Sequence, residues 1–302
     1  MSIPFADRLA EAVRGSESRV CVGLDPAAER VAAALGRDPA EVMATPEAAA
    51  QAIGEFNQRI VEAVRPYCGV VKLQSAFYER WGVPGIEALQ RTIALCREAG
   101  LLCILDAKRN DIASTAAAYA EAYLGDGPLA CDALTVNAYL GADAVWPFLR
   151  EARGRGKGVF VLVKTSNPSS VQLQDRALDD GRRVHELVGD LVEEWGGAEL
   201  GQCGYSDVGA VVGATFPSEL AALRKRMPHT WFLVPGYGRQ GGTAEDVAAA
   251  FDADGLGAIV NSSSGIIYAY ESASGTRGFA GAASEAARAM RDALEAVRKA
   301  RQ

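Results

Sequence analysis

Two carboxylates and one ammonium group follow a short apolar run near the middle of the chain. The run, residues 101–105, is typical of a buried strand, and Asp106 and Lys108 come directly after it. Residues two apart point to the same side of an extended backbone, so these two side chains should lie together. Asp111 follows within one further turn. Because burying such charges is unfavourable unless each finds a partner, the cluster favours a catalytic role.

Apolar runs of this kind alternate with alanine-rich amphipathic segments along the chain. The predicted strands are residues 19–24, 69–73, 101–105, 133–136, 158–163, 208–212, 230–234 and 258–260. The predicted helices are residues 47–64, 86–99, 183–195 and 283–301. Strands that alternate with helices pair in parallel through right-handed crossovers. Eight such units in 302 residues predict an α/β fold, a (β/α)8 TIM barrel, with a doubly wound open sheet as the competing architecture.

Two connections are longer than a simple strand-to-helix step. They cover about residues 26–68 and 171–207, and the first is expected to hold an extra helix. Neither has low complexity, and no linker divides the chain. The sequence therefore predicts a single domain over residues 1–302.

Composition argues against several functional classes. The net charge of −7 is unfavourable for a nucleic-acid-binding surface. No apolar run is long enough to span a membrane, and the N-terminal segment carries acids rather than a signal-peptide core. Six cysteines without a C-x-x-C pair are typical of reduced thiols in a cytoplasmic protein. The chain has only two histidines, His185 and His229, and they are isolated from each other. A histidine metal site or a Ser-His-Asp triad is therefore not expected.

Polar residues follow most of the predicted strands. They are Asp25 after the first strand, Lys72 and Gln74 at the second, Asp106, Lys108 and Asp111 after the third, and residues 164–168, 235–242 and 261–265 after the fifth, seventh and eighth. In a barrel these ends converge on one mouth, where active sites lie. The last two loops are rich in glycine, serine, asparagine and glutamine, which suits phosphate binding. Arg239 can add a bidentate contact.

At these positions the sequence resembles the orotidine 5′-phosphate decarboxylase family. The motif D-x-K-x-x-D-I-x-x-T is present as Asp106, Lys108, Asp111, Ile112 and Thr115. Further matches are Asp25, Lys72, Ser166, Pro235, Gly236, Gln240, Gly241 and Gly242. The resemblance runs from about Phe5 to Arg291 and is strongest to the longer bacterial branch.

The resemblance implies decarboxylation of orotidine 5′-monophosphate to uridine 5′-monophosphate in de novo pyrimidine biosynthesis, with no cofactor and no metal. Lys108 would stabilise the developing carbanion and then protonate it. Asp106 would lie near the substrate carboxylate, and Lys72 and Asp111 would hold the charged array in place. Fixed charges of this kind act strongly where water is excluded.

The resemblance also assigns the substrate contacts. Lys72 and Asp25 would contact the ribose, Ser166 would contact the pyrimidine, and Gln240 with the adjoining loop, including Pro235, Gly241 and Arg239, would hold the phosphate. Asp111 and Thr115 would reach into the site of a neighbouring subunit. A homodimer with a shared active site is therefore implied.

One position departs from the family pattern. The family has an arginine at or beside the position of Ser264, whereas Arg239 stands where a small residue is common. The hypothesis is that Arg239 partly replaces this cation from the facing loop, and the alternative is that phosphate affinity is impaired.

Other functions remain open at this point. One is a barrel lyase that forms a Schiff base through Lys72, Lys108 or Lys164. Another is a Mg²⁺-dependent enzyme acting on a sugar phosphate. A third is a nucleotide-binding protein without turnover.

Overall fold

Eight parallel strands form a closed barrel in chain order, with the eighth strand paired to the first. The computed structural model describes residues 2–272 and 278–300. The strands are β1 (Val20–Leu24), β2 (Val70–Gln74), β3 (Leu102–Arg109), β4 (Ala133–Val136), β5 (Gly158–Lys164), β6 (Val208–Val212), β7 (Phe232–Val234) and β8 (Ala258–Ser262). The predicted TIM barrel is confirmed, and the open doubly wound sheet is wrong.

Helices surround the barrel and fill its connections. They are α1 (Phe5–Gly15), α2 (Ala28–Leu35), α3 (Pro39–Val42), α4 (Pro46–Val64), α5 (Ala76–Glu79), α6 (Gly82–Glu98), α7 (Ala113–Leu124), α8 (Ala142–Gly154), α9 (Val184–Gly197), α10 (Pro217–Arg226), α11 (Ala244–Val247), α12 (Ser264–Ile267) and α13 (Gly278–Lys299). Short 3-10 helices cover Arg65–Tyr67, Pro168–Gln172, Ala248–Ala250 and Ala269–Glu271. None of the helices in the described residues combines the length and apolarity that crossing a bilayer requires.

The four helices predicted from periodicity correspond to α4, α6, α9 and α13, with ends that differ by a few residues. The last residue of the predicted 283–301 helix lies outside the described residues. The first long connection holds α2 and α3 in addition to α4. The second holds one 3-10 helix and α9.

The amino-terminal end of the barrel is closed by α1. Phe5 packs edge-to-face against Phe160, with ring centroids 6.0 Å apart, and both side chains are buried. Gly158 permits this contact, because a Cβ atom there would lie 2.2 Å from the Phe5 ring. With this end plugged by side chains, the carboxyl end is the one that remains open for a ligand.

Strand β3 continues beyond the predicted end at residue 105 and carries an irregularity. Its register with β4 shifts between Leu105 and Arg109. Within this stretch Lys108 has a φ of 48°, in the left-handed region. The backbone thus departs from a regular extended conformation at Lys108, although the side chains of Asp106 and Lys108 lie together as predicted. Non-glycine residues adopt this conformation at a cost of about 1–2 kcal/mol, and such strain often marks functional positions.

Candidate active site

A cavity of about 560 Å³ opens at the carboxyl ends of the strands. This volume lies within the range of small-molecule sites. The predicted site residues that line it are Asp25, Lys72, Asp106, Lys108, Ser166, Pro235, Arg239, Gln240 and Ser264. Barrel closure thus brings together side chains from strand ends that are far apart in the sequence.

The carboxylate of Asp106 is the centre of a hydrogen-bonded array. Lys72 Nζ donates to Asp106 Oδ2 over 2.9 Å, and Lys108 Nζ donates to Oδ1 over 2.6 Å. Gln74 Nε2 donates to Oδ2 over 3.0 Å, and Thr135 Oγ1 donates to Oδ1 over 2.9 Å. Thr135 also accepts the backbone N–H of Lys108 at 2.9 Å, so it fixes the irregular strand end and the carboxylate together.

The charges in this array stabilise one another. Burial raises the pKa of Asp106, but Lys72 and Lys108 outweigh that effect and hold this pKa well below its usual range. Burial lowers the pKa of Lys72, but the carboxylates of Asp106 and Asp25 outweigh it and raise this pKa above its usual range. Asp106 therefore remains a carboxylate and Lys72 an ammonium at neutral pH.

Asp25 lies beside this array, and one of its carboxylate oxygens accepts no hydrogen bond from the described residues. Its Oδ1 is 4.0 Å from Lys72 Nζ. This oxygen is buried and has no hydrogen-bond partner among the described residues. Buried acceptors without a partner are unfavourable, so this atom can accept a hydrogen bond from a ligand hydroxyl.

Ser166 is held at the opposite side of the cavity by its backbone. Its carbonyl accepts a hydrogen bond from Thr215 Oγ1 at 3.0 Å. Gly213 approaches it so closely that a Cβ atom would lie 2.8 Å from Ser166 Cα. The neighbouring Thr165 donates its backbone N–H to Gln174 Oε1 at 2.9 Å. The loop after β5 is thus anchored on two sides.

The loop after β7 turns sharply through glycines. Gly236, Gly238 and Gly241 have φ angles of 99°, 77° and 99°. Gly238 donates its backbone N–H to Gly242 O at 2.8 Å, which closes the turn. Arg239 at its tip donates from Nη2 to Glu271 Oε2 over 3.0 Å.

Three predicted site residues do not line this cavity: Asp111, Thr115 and Gly241. Asp111 Oδ1 accepts the backbone N–H of Ile112 at 2.8 Å. Thr115 lies in the exposed first turn of α7. The expectation that Asp111 joins Asp106 and Lys108 in one place is therefore not met within a single chain.

Other cavity residues were given no site role from the sequence, although Gln74 and Asn261 were noted among the polar residues at the strand ends. They include Arg30, Gln74, Thr135 and Asn261. Three of these lie at the carboxyl ends of β2, β4 and β8, so the strand pattern carried a signal for them. Arg30 lies on α2, and nothing in its sequence context indicates that it faces the site. Within residues 2–272 and 278–300, no group of three or more histidine, cysteine, aspartate and glutamate side chains could hold a metal ion.

Fold and site together define a TIM-barrel enzyme with a lysine–aspartate–lysine array at its mouth. The sequence profile of the orotidine 5′-phosphate decarboxylase / HUMPS family matches residues 18–278. The chain belongs to this family, as the sequence predicted.

Individual relatives agree with this assignment. An orotidine 5′-phosphate decarboxylase of Rhodopirellula baltica is 46% identical over 272 residues, which cover 88% of this chain and 89% of the relative. One of Deinococcus radiodurans is 42% identical and covers 97% of this chain and 98% of the relative. A crystal structure described as a putative orotidine 5′-phosphate decarboxylase from Streptomyces avermitilis superposes with a TM-score of 0.83, at 34% identity, covering 99% of this chain and 97% of that chain. The predicted function, decarboxylation in pyrimidine biosynthesis, is confirmed by these matches.

Proposed function

We propose that Lys72, Asp106 and Lys108 carry out the decarboxylation of orotidine 5′-monophosphate to uridine 5′-monophosphate in this cavity. The observation that carries the proposal is the Asp106 carboxylate, buried at the cavity wall and bonded to both lysines. The bond between the ring carbon and the carboxylate breaks, CO2 leaves, and the electron pair stays on the ring carbon. The Lys108 ammonium stabilises this pair and then gives its proton to the same carbon.

Asp106 acts on the substrate through its charge. A bound substrate carboxylate near this ionised side chain is repelled, whereas the product has lost its carboxylate and is not. Lys72 and Thr135 hold Asp106 in place, so the repulsion is not relieved by rotation of the side chain. An interaction that is less unfavourable in the transition state than in the bound substrate lowers the barrier.

The remaining contacts hold the nucleotide. The unused Oδ1 of Asp25 accepts a ribose hydroxyl, and Ser166 contacts the edge of the pyrimidine. Gln240 and Arg239 bind the phosphate from the loop after β7. Binding energy from the phosphate, which does not react, then helps to place the ring against Lys108.

The site is less suited to Schiff-base chemistry. An amine that attacks a carbonyl must be neutral, and enzymes lower its pKa for that purpose. The pKa of Lys72 is instead raised, so this amine stays protonated and cannot attack a carbonyl. Lys164 does not line the cavity.

These alternatives are separated by one set of assays. Loss of the ultraviolet absorbance of orotidine 5′-monophosphate measures turnover. We expect the same rate with and without EDTA, and no covalent adduct after treatment with borohydride and a carbonyl substrate. A rate abolished by EDTA supports the Mg²⁺-dependent alternative, and a trapped adduct supports a Schiff base. Binding without any loss of absorbance supports a protein that only binds nucleotides.

We also propose a homodimer in which Asp111 and Thr115 complete the site of the other subunit. Neither residue lines the cavity of its own chain. Ile112 is 54% exposed, and Trp146 on α8 is 42% exposed next to a groove between α7 and α8. Continuity with two predicted site residues favours a second copy of this chain as the partner.

Mixing two inactive variants tests the shared site. Each proposed site takes Lys108 from one subunit and Asp111 from the other. Lys108→Ala and Asp111→Ala therefore inactivate the site through different subunits. After unfolding and refolding together in equal amounts, half of the dimers are expected to be mixed, each with one intact site. About one quarter of wild-type activity should therefore return. Mixed dimers, isolated through two different affinity tags, that remain inactive would contradict a shared site.

A further inference from the structure

Two arginines converge on one carboxylate at the rim of the cavity. Glu271 Oε1 accepts from Arg30 Nε over 2.6 Å, and Oε2 accepts from Arg30 Nη2 over 2.6 Å. The same Oε2 accepts from Arg239 Nη2 over 3.0 Å. We call Arg30, Arg239 and Glu271 the arginine cluster. It joins α2, the loop after β7 and the segment that follows α12.

Arg30 is also fixed from one face. Its guanidinium carbon lies 3.5 Å from the centre of the Tyr268 ring. Tyr268 is buried, donates its hydroxyl to Asp25 O over 3.0 Å and accepts the N–H of Ala27 at 2.7 Å. A planar guanidinium stacked in this way is pre-organised for a bidentate contact. The position of Arg30 is thus tied to the loop that carries Asp25.

The cluster keeps a positive charge and unused donors. A hydrogen bond from Arg30 lowers the pKa of Glu271, so this carboxylate is ionised at neutral pH and the cluster has a net charge of +1. Glu271 occupies Nε and Nη2 of Arg30 and Nη2 of Arg239, so Arg30 Nη1, Arg239 Nε and Arg239 Nη1 are not used by this carboxylate. Both arginines line the cavity beside Gln240, while Ser264 offers a hydroxyl without charge.

We propose that Arg30 acts together with Arg239 as a cationic clamp for the phosphate monoester of the substrate. A phosphate dianion has oxygens for both guanidinium groups, and such charge-assisted contacts are the stronger class of hydrogen bonds. The inference rests on the proposed function and adds a specificity-determining residue to it. The clamp selects a nucleoside monophosphate over the corresponding nucleoside, because a nucleoside leaves the cluster without an anion.

Comparing phosphorylated and unphosphorylated substrates tests the clamp. For Arg30→Ala we expect kcat/KM for orotidine 5′-monophosphate to fall about 10- to 100-fold, mostly through KM, and that for orotidine to change less than about 2-fold. Arg30→Lys keeps the charge but loses the planar fork, so it should recover only part of the loss. Arg37→Ala is the matched control, since Arg37 pairs with one carboxylate, Glu55, at 2.5 Å and does not line the cavity.

A second readout does not depend on turnover. Calorimetry of uridine 5′-monophosphate and uridine should show that Arg30→Ala weakens only the phosphorylated ligand. Equal losses for both ligands, or no loss for either, overturn the clamp. An inactive wild type would instead overturn the proposed function, and the calorimetric comparison would still decide the role of Arg30.

Discussion

Two lysines buried in the barrel, Lys72 and Lys164, each pair with an aspartate, and we infer different roles for the two pairs. Lys72 lies on β2 and donates to Asp106 over 2.9 Å. Lys164 is the last residue of β5 and donates to Asp175 over 2.6 Å. Burial raises the pKa of Asp175, but the hydrogen bond from Lys164 outweighs it and this pKa is lowered, as it is for Asp106. The lowered pKa of the aspartate therefore does not distinguish the pairs.

The surroundings of the two lysine–aspartate pairs distinguish them. Lys164 is 0% exposed, lies 4.2 Å from the centre of the Phe216 ring and also donates to Ser170 over 3.3 Å. Asp175 lies 3.1 Å from His185 Nδ1. This pair links the end of β5 to the long connection that follows it and does not face the cavity. Asp106, in contrast, shares its charge with a second lysine, Lys108, whose side chain is 45% exposed. The Lys72–Asp106 pair therefore adjoins an ammonium group that a ligand can reach, and the Lys164–Asp175 pair does not.

Replacing Lys108 should give the largest effect and tests the catalytic side of the comparison. We expect Lys108→Ala to lower kcat by about 10³-fold or more, because the carbanion loses its cation and its proton donor. Thermal stability should change little, since Asp106 keeps Lys72. Steady-state kinetics and a melting curve measure both. A kcat within about 10-fold of wild type would show that another group protonates the product.

Replacing Lys164 tests the structural side. Lys164→Met leaves Asp175 without its cation, and since Asp175 itself is partly exposed, the free energy of unfolding should fall by about 1–3 kcal/mol. The kcat of the folded protein should change less than about 10-fold. Urea denaturation measures the loss, and the double variant Lys164→Met/Asp175→Leu should recover part of it. A stable but inactive Lys164→Met would place this lysine in the chemistry.

The pH dependence of stability tests whether Asp106 and Lys72 are both ionised in the folded protein. The folded pKa of Asp106 is lowered from about 3.9, so its stabilisation is present above that pH and is lost as pH falls through the folded pKa. The folded pKa of Lys72 is raised from about 10.4, so its stabilisation is present below that pH and is lost as pH rises through the folded pKa.

Between about pH 5 and 9 the contribution of this pair should therefore be constant. Urea denaturation of wild type and Asp106→Asn should give a difference in free energy that is flat over this range and shrinks in acid. A difference that changes steadily between pH 5 and 9 would mean that a group of this array titrates in that range in one of the two proteins.

The smallest effect concerns the strained backbone at Lys108. Since its φ is 48°, Lys108→Gly should be more stable than Lys108→Ala by about 1 kcal/mol. Ala107→Gly is the control, because Ala107 does not have a positive φ and glycine there should destabilise. Equal stabilities of the two Lys108 variants would argue against strain at this position.

Much of this organisation could be predicted from the sequence. The eight strands and their parallel closure follow from apolar runs that alternate with helices, and strand ends converge by topology, which places Asp25, Lys72 and Ser166 together. The left-handed backbone at Lys108 could not be predicted, because it depends on pairing with β4 and on Thr135. Arg30 could not be predicted either, since its place depends on Tyr268 and Glu271, about 240 residues away. The cytoplasmic location remains a prediction.

A crystal structure with bound uridine 5′-monophosphate would show directly which lysine faces the reacting carbon. Lys108 Nζ should lie about 3–3.5 Å from the ring carbon that carries the carboxylate in the substrate, with Asp106 facing the vacated carboxylate position. Lys164 should remain enclosed with Asp175. A pyrimidine bound away from Lys108, or one in contact with Lys164, would contradict the assignment of the two pairs.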